Sequence, residues 1–452
     1  MRYYKTLIVI SVYALLLLGN GMGFAQEVDK QKAVEDTQQM SSSPEEQTAP
    51  VGYPVEGRLI GTIIDVEVDL DLSFPKTDSV FPRILPGELF KWKEDLYEKH
   101  GVKLGLSYQS IYQKASDTLT SQDEAAAGWL LLEGKWNAIN RGEDYEGSLV
   151  ATLDWRHTYG NKATPALFGT FDVGSLWPTD FAYIDWDLWA PVLYWEQWFK
   201  KDDFVLRVGN QIINQTYDFF RFKDPRVAFS ASPFNAPAAS MPFPGPGLAA
   251  TAEWWPFQDS ELYVEGTIND MNFETEKYTW DDALRERDFF YGLEIGYNWK
   301  RNFPKDFDHL HLNLWYADKP AVNPLPGFPS SSGWGFKLLG EKQMGRFVGF
   351  SSYTYNTTEG GAFGVTFARH NVTAGGAYLK PLGVRGEIGL GATWAEPIDN
   401  SLRDQYGLET YWKILLWPNL WVTPGIQFIR DPSLNPQERS ITIGQLKARL
   451  FF

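Results

Sequence analysis

The sequence predicts an all-β protein, a transmembrane antiparallel β-barrel of about 16 strands with a short N-terminal helical and flexible extension. Three observations support this prediction. Apolar and polar residues alternate from Val102 to the end of the chain, the alternating segments are roughly 10 to 13 residues long, and the last residue is Phe452. Strands of that length cross a bilayer when they are tilted by about 45°.

The first 25 residues have the composition of a secretory signal peptide. Arg2 and Lys5 are basic, the stretch from Leu7 to Leu18 is almost entirely apolar, and small residues lead to a cleavage site after Ala25. The apolar stretch is about a dozen residues long, short of the roughly 20 that span a bilayer as a helix. We therefore expect residues 1–25 to be removed on export. The chain has 0 cysteines, so the exported fold does not depend on disulfides.

Residues 26–88 predict a flexible, partly acidic periplasmic extension. Residues 26–54 are rich in Gln, Glu, Ser and Pro and have few large apolar residues, so they do not supply a packed core. Residues 57–72 alternate between apolar and acidic residues, which indicates a strand with an acidic face. That strand would lie either in the barrel wall or in the extension.

A short helix is predicted over residues 89–101, directly before the barrel at residues 102–452. Leu89, Trp92 and Leu96 lie near one helical stripe, and Gly101 stands where a helix is expected to end. From Val102 onward the period of the apolar residues changes to two.

The clearest strand runs over residues 288–300. One face is apolar throughout and consists of Phe289, Tyr291, Leu293, Ile295, Tyr297 and Trp299. The opposite face carries charged residues and glycines, and other segments share this division. Further matches lie at residues 148–156, 309–316, 387–394, 405–414 and 445–452. A β-sandwich would also alternate, but its strands average about 5–6 residues, so the length of these segments favours a membrane barrel.

Composition and charge narrow the function classes. Aromatic residues make up 16% of the chain while the mean hydropathy is −0.31, a combination typical of membrane barrels and also of secreted enzymes that act on sugars. The formal net charge of −16 argues against a nucleic-acid partner, because phosphate binding needs clustered Lys and Arg. It also weighs mildly against an anion-specific pore.

The last strand indicates the compartment. Leu446, Ala448, Leu450 and Phe452 alternate with polar residues, and no tail follows the aromatic residue. This ending resembles the closing strand of bacterial outer-membrane proteins, which the barrel-assembly machinery recognises. We therefore expect the outer membrane of a Gram-negative-type bacterium, with its lipid around the barrel.

Specific segments resemble a family. Residues 374–394 combine a Gly-rich strand, a turn that contains Pro381, and a Gly-x-Gly strand, and the hairpin of residues 406–432 follows with its Trp417-Pro418 turn. These segments are similar to the carbohydrate-selective porins of the OprB type. Residues 194–199 and 204–211 also fit, so the resemblance extends over about 90–452. It implies passive diffusion of small carbohydrates, without a catalytic residue or a cofactor.

The polar strand faces predict the lining of such a channel. The residues expected to line the pore or contact sugar are Asp154, Arg156, Arg207, Gln211, Glu294, His309, Asn313, Arg385, Glu387, Glu409 and Lys413. Arg156, Arg207 and Arg385 are assigned to strand interiors and should face inward, because an Arg on the lipid side costs about 2–4 kcal/mol near the midplane. His309 and His311 lie two residues apart but have no further ligand at this spacing, so no metal site is expected.

Several alternatives stay open at this point. A general or weakly ion-selective porin would have the same fold, and so would an outer-membrane barrel enzyme or adhesin, although no nucleophile motif is evident. The Pro-rich residues 232–247 either fold into the pore or cover its rim. The tryptophans between residues 177 and 198 favour an interfacial girdle over a sugar-stacking surface. A homotrimer and a monomer both fit the pattern.

Overall fold

The computed structural model describes residues 52–53, 65–76, 78–82, 87–200, 203–235, 240–257, 262–274, 276–299, 308–321, 328–361 and 366–452. The expected signal peptide and most of the expected extension lie outside these ranges. No helix in the described ranges is both long enough and apolar enough to cross a membrane.

Seventeen strands form one antiparallel sheet within the described ranges. They are β1 Val102–Ala115, β2 Glu124–Ile139, β3 Gly147–Thr158, β4 Trp186–Trp189, β5 Leu193–Trp198, β6 Phe204–Gln211, β7 Gly247–Trp254, β8 Leu262–Asp270, β9 Phe289–Asn298, β10 His309–Ala317, β11 Gly333–Met344, β12 Phe347–Asn356, β13 Ala368–Leu379, β14 Gly386–Pro397, β15 Gln405–Trp417, β16 Leu420–Arg430 and β17 Ser440–Phe451. Each strand pairs with the next one along the chain, except that β5 pairs with β3 instead of β4, and β1 pairs with both β2 and β17. The sheet is therefore closed, which confirms the predicted barrel.

The two short strands β4 and β5 share one place in the wall. β3 pairs with β5 through residues 147–151 and with β4 only at Asp154 and Arg156. Pro191 lies between the two short strands and cannot donate to the sheet, so the strand is interrupted there. Counted by position, the barrel has 16 strands, as the sequence predicts.

The two faces of the wall have the polarity of a membrane barrel. In β9 the side chains of Tyr291, Leu293 and Ile295 are 38–43% exposed, whereas Glu294 between them is fully buried. This distribution is the reverse of that in a soluble protein, and it repeats around the barrel. Leu, Tyr, Trp and Ile side chains lie outside, and charged or amide side chains lie inside. An apolar outer face around a polar interior is the arrangement typical of a transmembrane barrel.

Short turns lie at one end of the barrel and long connections at the other. Turns such as Gly345–Arg346 and Pro418–Asn419 share an end with the start of β1 and with Phe452. The connections of residues 159–185 and 212–246 lie at the opposite end, and most of their residues are buried. These two connections fold back into the lumen, and the described part of the Pro-rich segment at 232–247 is buried with them.

Two helices precede the barrel in the described ranges: α1 at Val66–Leu72 and α2 at Glu88–His100. The strand predicted for residues 57–72 is therefore wrong for residues 66–72; the earlier part lies outside the described ranges. α1 is not a flexible extension, because it contacts β1 and β2 and buries Val66, Leu70 and the nearby Phe74. Its acidic residues find cationic partners inside the barrel, which the period-two pattern does not reveal.

An aromatic cluster fills part of the lumen beside β12 to β15. Phe222, Phe229 and Phe234 of the connection at residues 212–246, hereafter the inward connection, pack against Phe350 of β12 and Tyr411 of β15. Glycines on the inner face make room for these rings. A Cβ at Gly391 would lie 2.7 Å from the Phe234 ring, and one at Gly407 would lie 2.8 Å from the Trp177 ring.

Candidate functional site

A cavity with an empty volume of about 770 Å³ lies between the inward connections and the inner face of β2 and β3. Its lining includes Trp129 and Glu133 from β2, Asp154 and Arg156 from β3, and Arg226 from the inward connection. Charged groups of both signs and aromatic rings therefore border the same space. We treat this cavity as the candidate solute site.

Arg156 is held between two indole rings in this cavity. The centre of its guanidinium lies 3.7 Å from the ring centroid of Trp129 and 3.8 Å from that of Trp186. The guanidinium donates to both carboxylate oxygens of Asp154, at 2.7 Å for Nη2, and to the carbonyl of Ala182 at 2.7 Å. Trp186 Nε1 also donates to Asp154, at 3.1 Å. The cation is thus fixed in position with its planar faces covered.

A second ionic cluster forms the neighbouring side of the lumen. Arg226 donates to Asp224 at 2.7 Å and pairs with Asp69 of α1, and Arg449 of β17 lies 3.1 Å from Asp224 and 2.9 Å from Asp69. Burial alone would raise the pKa of Asp224, but Arg226 and Arg449 outweigh that effect and lower it to about 2. Asp224 therefore stays ionised beside the two arginines.

Arg207 belongs to a third cluster, near the short-turn end. Its Nε donates to Glu196 of β5 at 2.8 Å, and its Nη2 lies 3.7 Å from Asp65 at the start of α1. Lys135 of β2 contacts Glu196 at 2.7 Å and Glu67 of α1 at 2.7 Å. The inward direction predicted for Arg207 is therefore observed, and its partners are charged groups of the wall and of α1.

Glu294 and Asn313 hold the inward connection at a fourth place. Glu294 accepts from Asn313 at 2.7 Å, from the backbone N–H of Asp218 at 2.6 Å and from Tyr263. Asp218 in turn accepts from Lys337 at 2.6 Å. Burial would raise the pKa of Asp218, but Lys337 and Lys223 lower it well below its usual range.

The two histidines bind each other and Asp218. His309 Nε2 lies 2.9 Å from His311 Nδ1, and His311 Nε2 lies 3.2 Å from Asp218. Within the described ranges no group of three or more His, Cys, Asp or Glu has the arrangement of a metal site. The pair is part of the network that supports the inward connection.

Glu409 also binds the inward connection. It accepts from the backbone N–H groups of Ser230 and Ala231 at 2.7 and 2.8 Å, and from Gln445 at 2.8 Å. Lys447 donates to the carbonyl of Pro225 and the hydroxyl of Ser230, both at 2.8 Å. These wall residues satisfy backbone groups that would otherwise be buried without partners.

The remaining predicted residues differ in how deeply they are buried. Gln211 is buried and donates to the carbonyls of Arg207 and Ala249, at 3.2 and 3.1 Å. Glu387 and Lys413 are half-buried: Glu387 accepts from Tyr411 at 2.8 Å, and the Lys413 ammonium lies 4.8 Å from the Trp421 ring. Whether any of these residues touches a solute stays a prediction.

The assignment of Arg385 to a strand interior is wrong. Arg385 precedes β14 in the bend after Pro381, where its N–H donates to the carbonyl of Asp78 at 2.8 Å. The penalty for a charged residue on the lipid side does not apply in a turn, so the reason for placing it in the lining fails.

The cavity also contains residues that the sequence did not nominate. Trp129 and Glu133 were missed because they are on β2, whose inner face is unusually apolar, and Arg226 was missed because it is on an inward-folded connection. The girdle predicted for the tryptophans between residues 177 and 198 is wrong for Trp177, which is buried against the aromatic cluster, and for Trp186, which covers Arg156. A run of Asp224, Pro225 and Arg226 in a Pro-rich loop was the available signal.

Comparison with known proteins supports the fold. No protein-family model and no curated protein matches the chain. The high-pH structure of Pseudomonas putida OprB matches with a TM-score of 0.63 at 11% identity, over 84% of this chain and 99% of that one.

Two further structures match with lower scores. The low-pH structure of Pseudomonas putida OprB has a TM-score of 0.48 at 12% identity, over 84% of this chain and 99% of that one. A mutant of the Rh. blastica porin has 0.43 at 11% identity, over 78% of this chain and all of that one, 100%. The first match establishes a shared architecture: this chain has the closed-barrel fold of Pseudomonas putida OprB, as the resemblance of its sequence implies.

Proposed function

We propose that this chain is an outer-membrane porin through which small solutes, preferentially sugars, diffuse passively into the periplasm. The observation that carries the proposal is the cavity at Arg156, where a fixed guanidinium, two indole rings and the carboxylates of Asp154 and Glu133 border one space. Transport by diffusion requires such a polar lining and no reacting group.

The chemistry of this lining suits a neutral polyol. Sugar hydroxyls both donate and accept hydrogen bonds, so a lining of paired cations and carboxylates can bind them, whereas a row of cations alone would favour anions. The apolar faces of a sugar ring pack on Trp and Phe, and Phe181 lies on the same cavity as the two tryptophans. The resemblance to the OprB-type porins supports the same substrate class.

The location follows from the same proposal. We infer export through cleavage after Ala25 and insertion by the barrel-assembly machinery, which would recognise β17 and Phe452. Mass spectrometry of the protein purified from outer membranes should find an N-terminus at Gln26; an uncleaved N-terminus would contradict the predicted signal peptide. Cross-linking in membranes would distinguish a homotrimer from a monomer.

Planar-bilayer recording tests the sugar preference. We expect sugars at millimolar concentration to reduce the ion current in a saturable way, and Arg156→Ala to weaken that block about tenfold, equivalent to ~1.4 kcal/mol. Arg385→Ala is the matched control, because it removes the same charge from a turn outside the cavity, and should leave the block unchanged. An ion current that no sugar reduces would leave a general porin.

A further inference from the structure

The acidic helix α1 occupies the short-turn mouth of the lumen. Its carboxylates meet cations from the barrel wall and the inward connection: Asp65 pairs with Arg207 at 3.7 Å, Glu67 with Lys135 at 2.7 Å and with Lys103 at 3.2 Å, and Asp69 with Arg449 at 2.9 Å and with Arg226. Every one of these five cations is buried. The helix is therefore bound across the lumen, on β1, β2, β6 and β17 and on the inward connection.

The apolar side of α1 is also packed against the protein. Leu70 and Phe74 are fully buried, and they pack in one cluster with Tyr97 of α2 and Tyr194 of β5. The wall makes room for this contact at Gly105 of β1, where a Cβ would lie 3.2 Å from the Cβ of Ser73 and 3.3 Å from the Leu70 side chain. A glycine on the inner face at this height lets the helix approach the wall closely.

The charges at this mouth depend on the helix. Within the described residues, four of the five cations that contact α1 also form ion pairs with two carboxylates that do not belong to it: Glu196, with Lys135 and Arg207, and Asp224, with Arg226 and Arg449. With α1 in place, its own three carboxylates bring the acidic groups to five, equal to the number of cations. Without it, the cations outnumber the carboxylates, and buried cations at a narrow mouth attract anions strongly.

We propose that α1 is a charged plug that sets both the conductance and the ion preference of the channel. When α1 is bound in the lumen, it narrows the short-turn mouth and neutralises the cations there. When α1 is released from the wall, the mouth opens and the lumen prefers anions. The proposal rests on the chain being a channel, but the test uses ions only and does not depend on which solute the channel prefers.

The test compares two triple variants of the full chain with equal charge changes. In the first, Asp65→Asn, Glu67→Gln and Asp69→Asn remove the carboxylates that reach the mouth. Asp65 caps α1 by accepting from the N–H of Glu67 at 2.9 Å, and Asn keeps that cap. In the control, Asp71→Asn, Asp281→Asn and Asp282→Asn remove the same charge elsewhere, since Asp71 is on the exposed side of α1 and the other two are on the helix Trp280–Glu286.

We expect the first variant to conduct at least about twofold more than the native protein in planar bilayers. Its reversal potential in a KCl gradient should shift toward that of chloride, while the control behaves as the native protein does. An unchanged reversal potential in the first variant would overturn the proposal. If neither the native protein nor the first variant conducts at all, the channel itself is contradicted.

A reversible lock separates release of the helix from a simple change of charge. Because the chain has 0 cysteines, Ser73→Cys with Gly105→Cys would form a unique pair, and the 3.2 Å Cβ separation is near the ~3.5–4.5 Å of disulfides. In the first variant, oxidation of this pair should return the conductance toward the native value, and dithiothreitol should raise it again. Equal conductance in both redox states would show that α1 does not move.

Discussion

The two sides of the lumen are built from different residues. Beside β12 to β15 the wall contributes Phe350, Ala377, Ala395 and Tyr411 to a buried aromatic cluster, although Glu409 lies close by. Beside β1 to β6 and β17 the wall contributes Arg156, Arg207, Arg449 and their carboxylate partners, and the cavity lies there. The aromatic side anchors the inward connection, and the charged side borders the candidate solute site.

The two sides differ in how their contacts fill the lumen. Apolar packing is dense and non-directional, so it fills space and fixes the connection. Ion pairs that are stacked against aromatic rings keep polar atoms at the border of a cavity. There these atoms can exchange hydrogen bonds within the protein for hydrogen bonds with a hydroxylated solute. Variants on the two sides should therefore affect different measurements.

The largest expected effect is on the aromatic side. Phe229 is fully buried and its ring contacts Phe222, Phe234, Phe350 and Tyr411. Phe229→Ala should lower the free energy of unfolding by about 3–5 kcal/mol, as large-to-small changes in cores do. Urea unfolding in detergent would measure this loss. Leu284→Ala, at a side chain 67% exposed, is the control.

If Phe229→Ala instead leaves the stability unchanged and alters the sugar block, the division between the two sides is wrong. The aromatic cluster would then border the path of the solute.

An added methyl group on the same side should have an intermediate effect. A Cβ at Gly391 would lie 2.7 Å from the Phe234 ring and 3.1 Å from the Phe229 ring, so Gly391→Ala forces both rings to shift. Overpacking of this kind costs about 1–3 kcal/mol. Gly444→Ala is the matched control, since a Cβ there meets nothing within 4 Å. Equal unfolding midpoints for the two variants would contradict the packing.

The smallest expected effect concerns pH, at Asp180 of the other connection that folds into the lumen, residues 159–185. Burial raises the pKa of this carboxyl to about 7, against the opposing influence of Lys447 and a hydrogen bond with Ser230. Between about pH 4 and 7 the folded protein keeps a proton that the unfolded chain has lost, so this contribution to stability falls as the pH rises through that window. Asp180→Asn should remove the decline.

Thermal unfolding at pH 5 and pH 8 would measure this decline in stability. The midpoint of Asp180→Asn relative to the native protein should be higher at pH 8 than at pH 5, by at most a few degrees. The same difference at both pH values would show that Asp180 is ionised throughout.

The barrel wall was predictable because its signal is local. In β9, alternation alone identifies Glu294 as inward and Tyr291 as outward, since successive side chains of a strand point to opposite faces. The same rule placed Asp154, Arg156, Arg207, Glu294, Asn313 and Glu409 inside. Arg385 failed because the rule applies only within a strand, and Arg385 lies in the bend between Gly383 and the start of β14 at Gly386.

The contents of the lumen were harder to predict because they depend on partners distant in sequence. α1 has the period of a strand, yet it is a helix whose carboxylates reach Lys135, Arg207 and Arg449. Tertiary ion pairs of this kind override local propensity, and no pattern within residues 65–72 reveals them. The inward fold of the Pro-rich segment stayed an open alternative for the same reason.

Closure of the ring has a consequence for assembly. Gln113 on β1 and Gln445 on β17 are hydrogen-bonded although they are 332 residues apart in sequence. The first strand therefore keeps an open edge until the last one is made, and pairing across such a distance is slow because loop-closure entropy must be overcome first. A nascent barrel of this kind depends on protection of that edge, and loss of only its final strand would leave two exposed edges prone to aggregation.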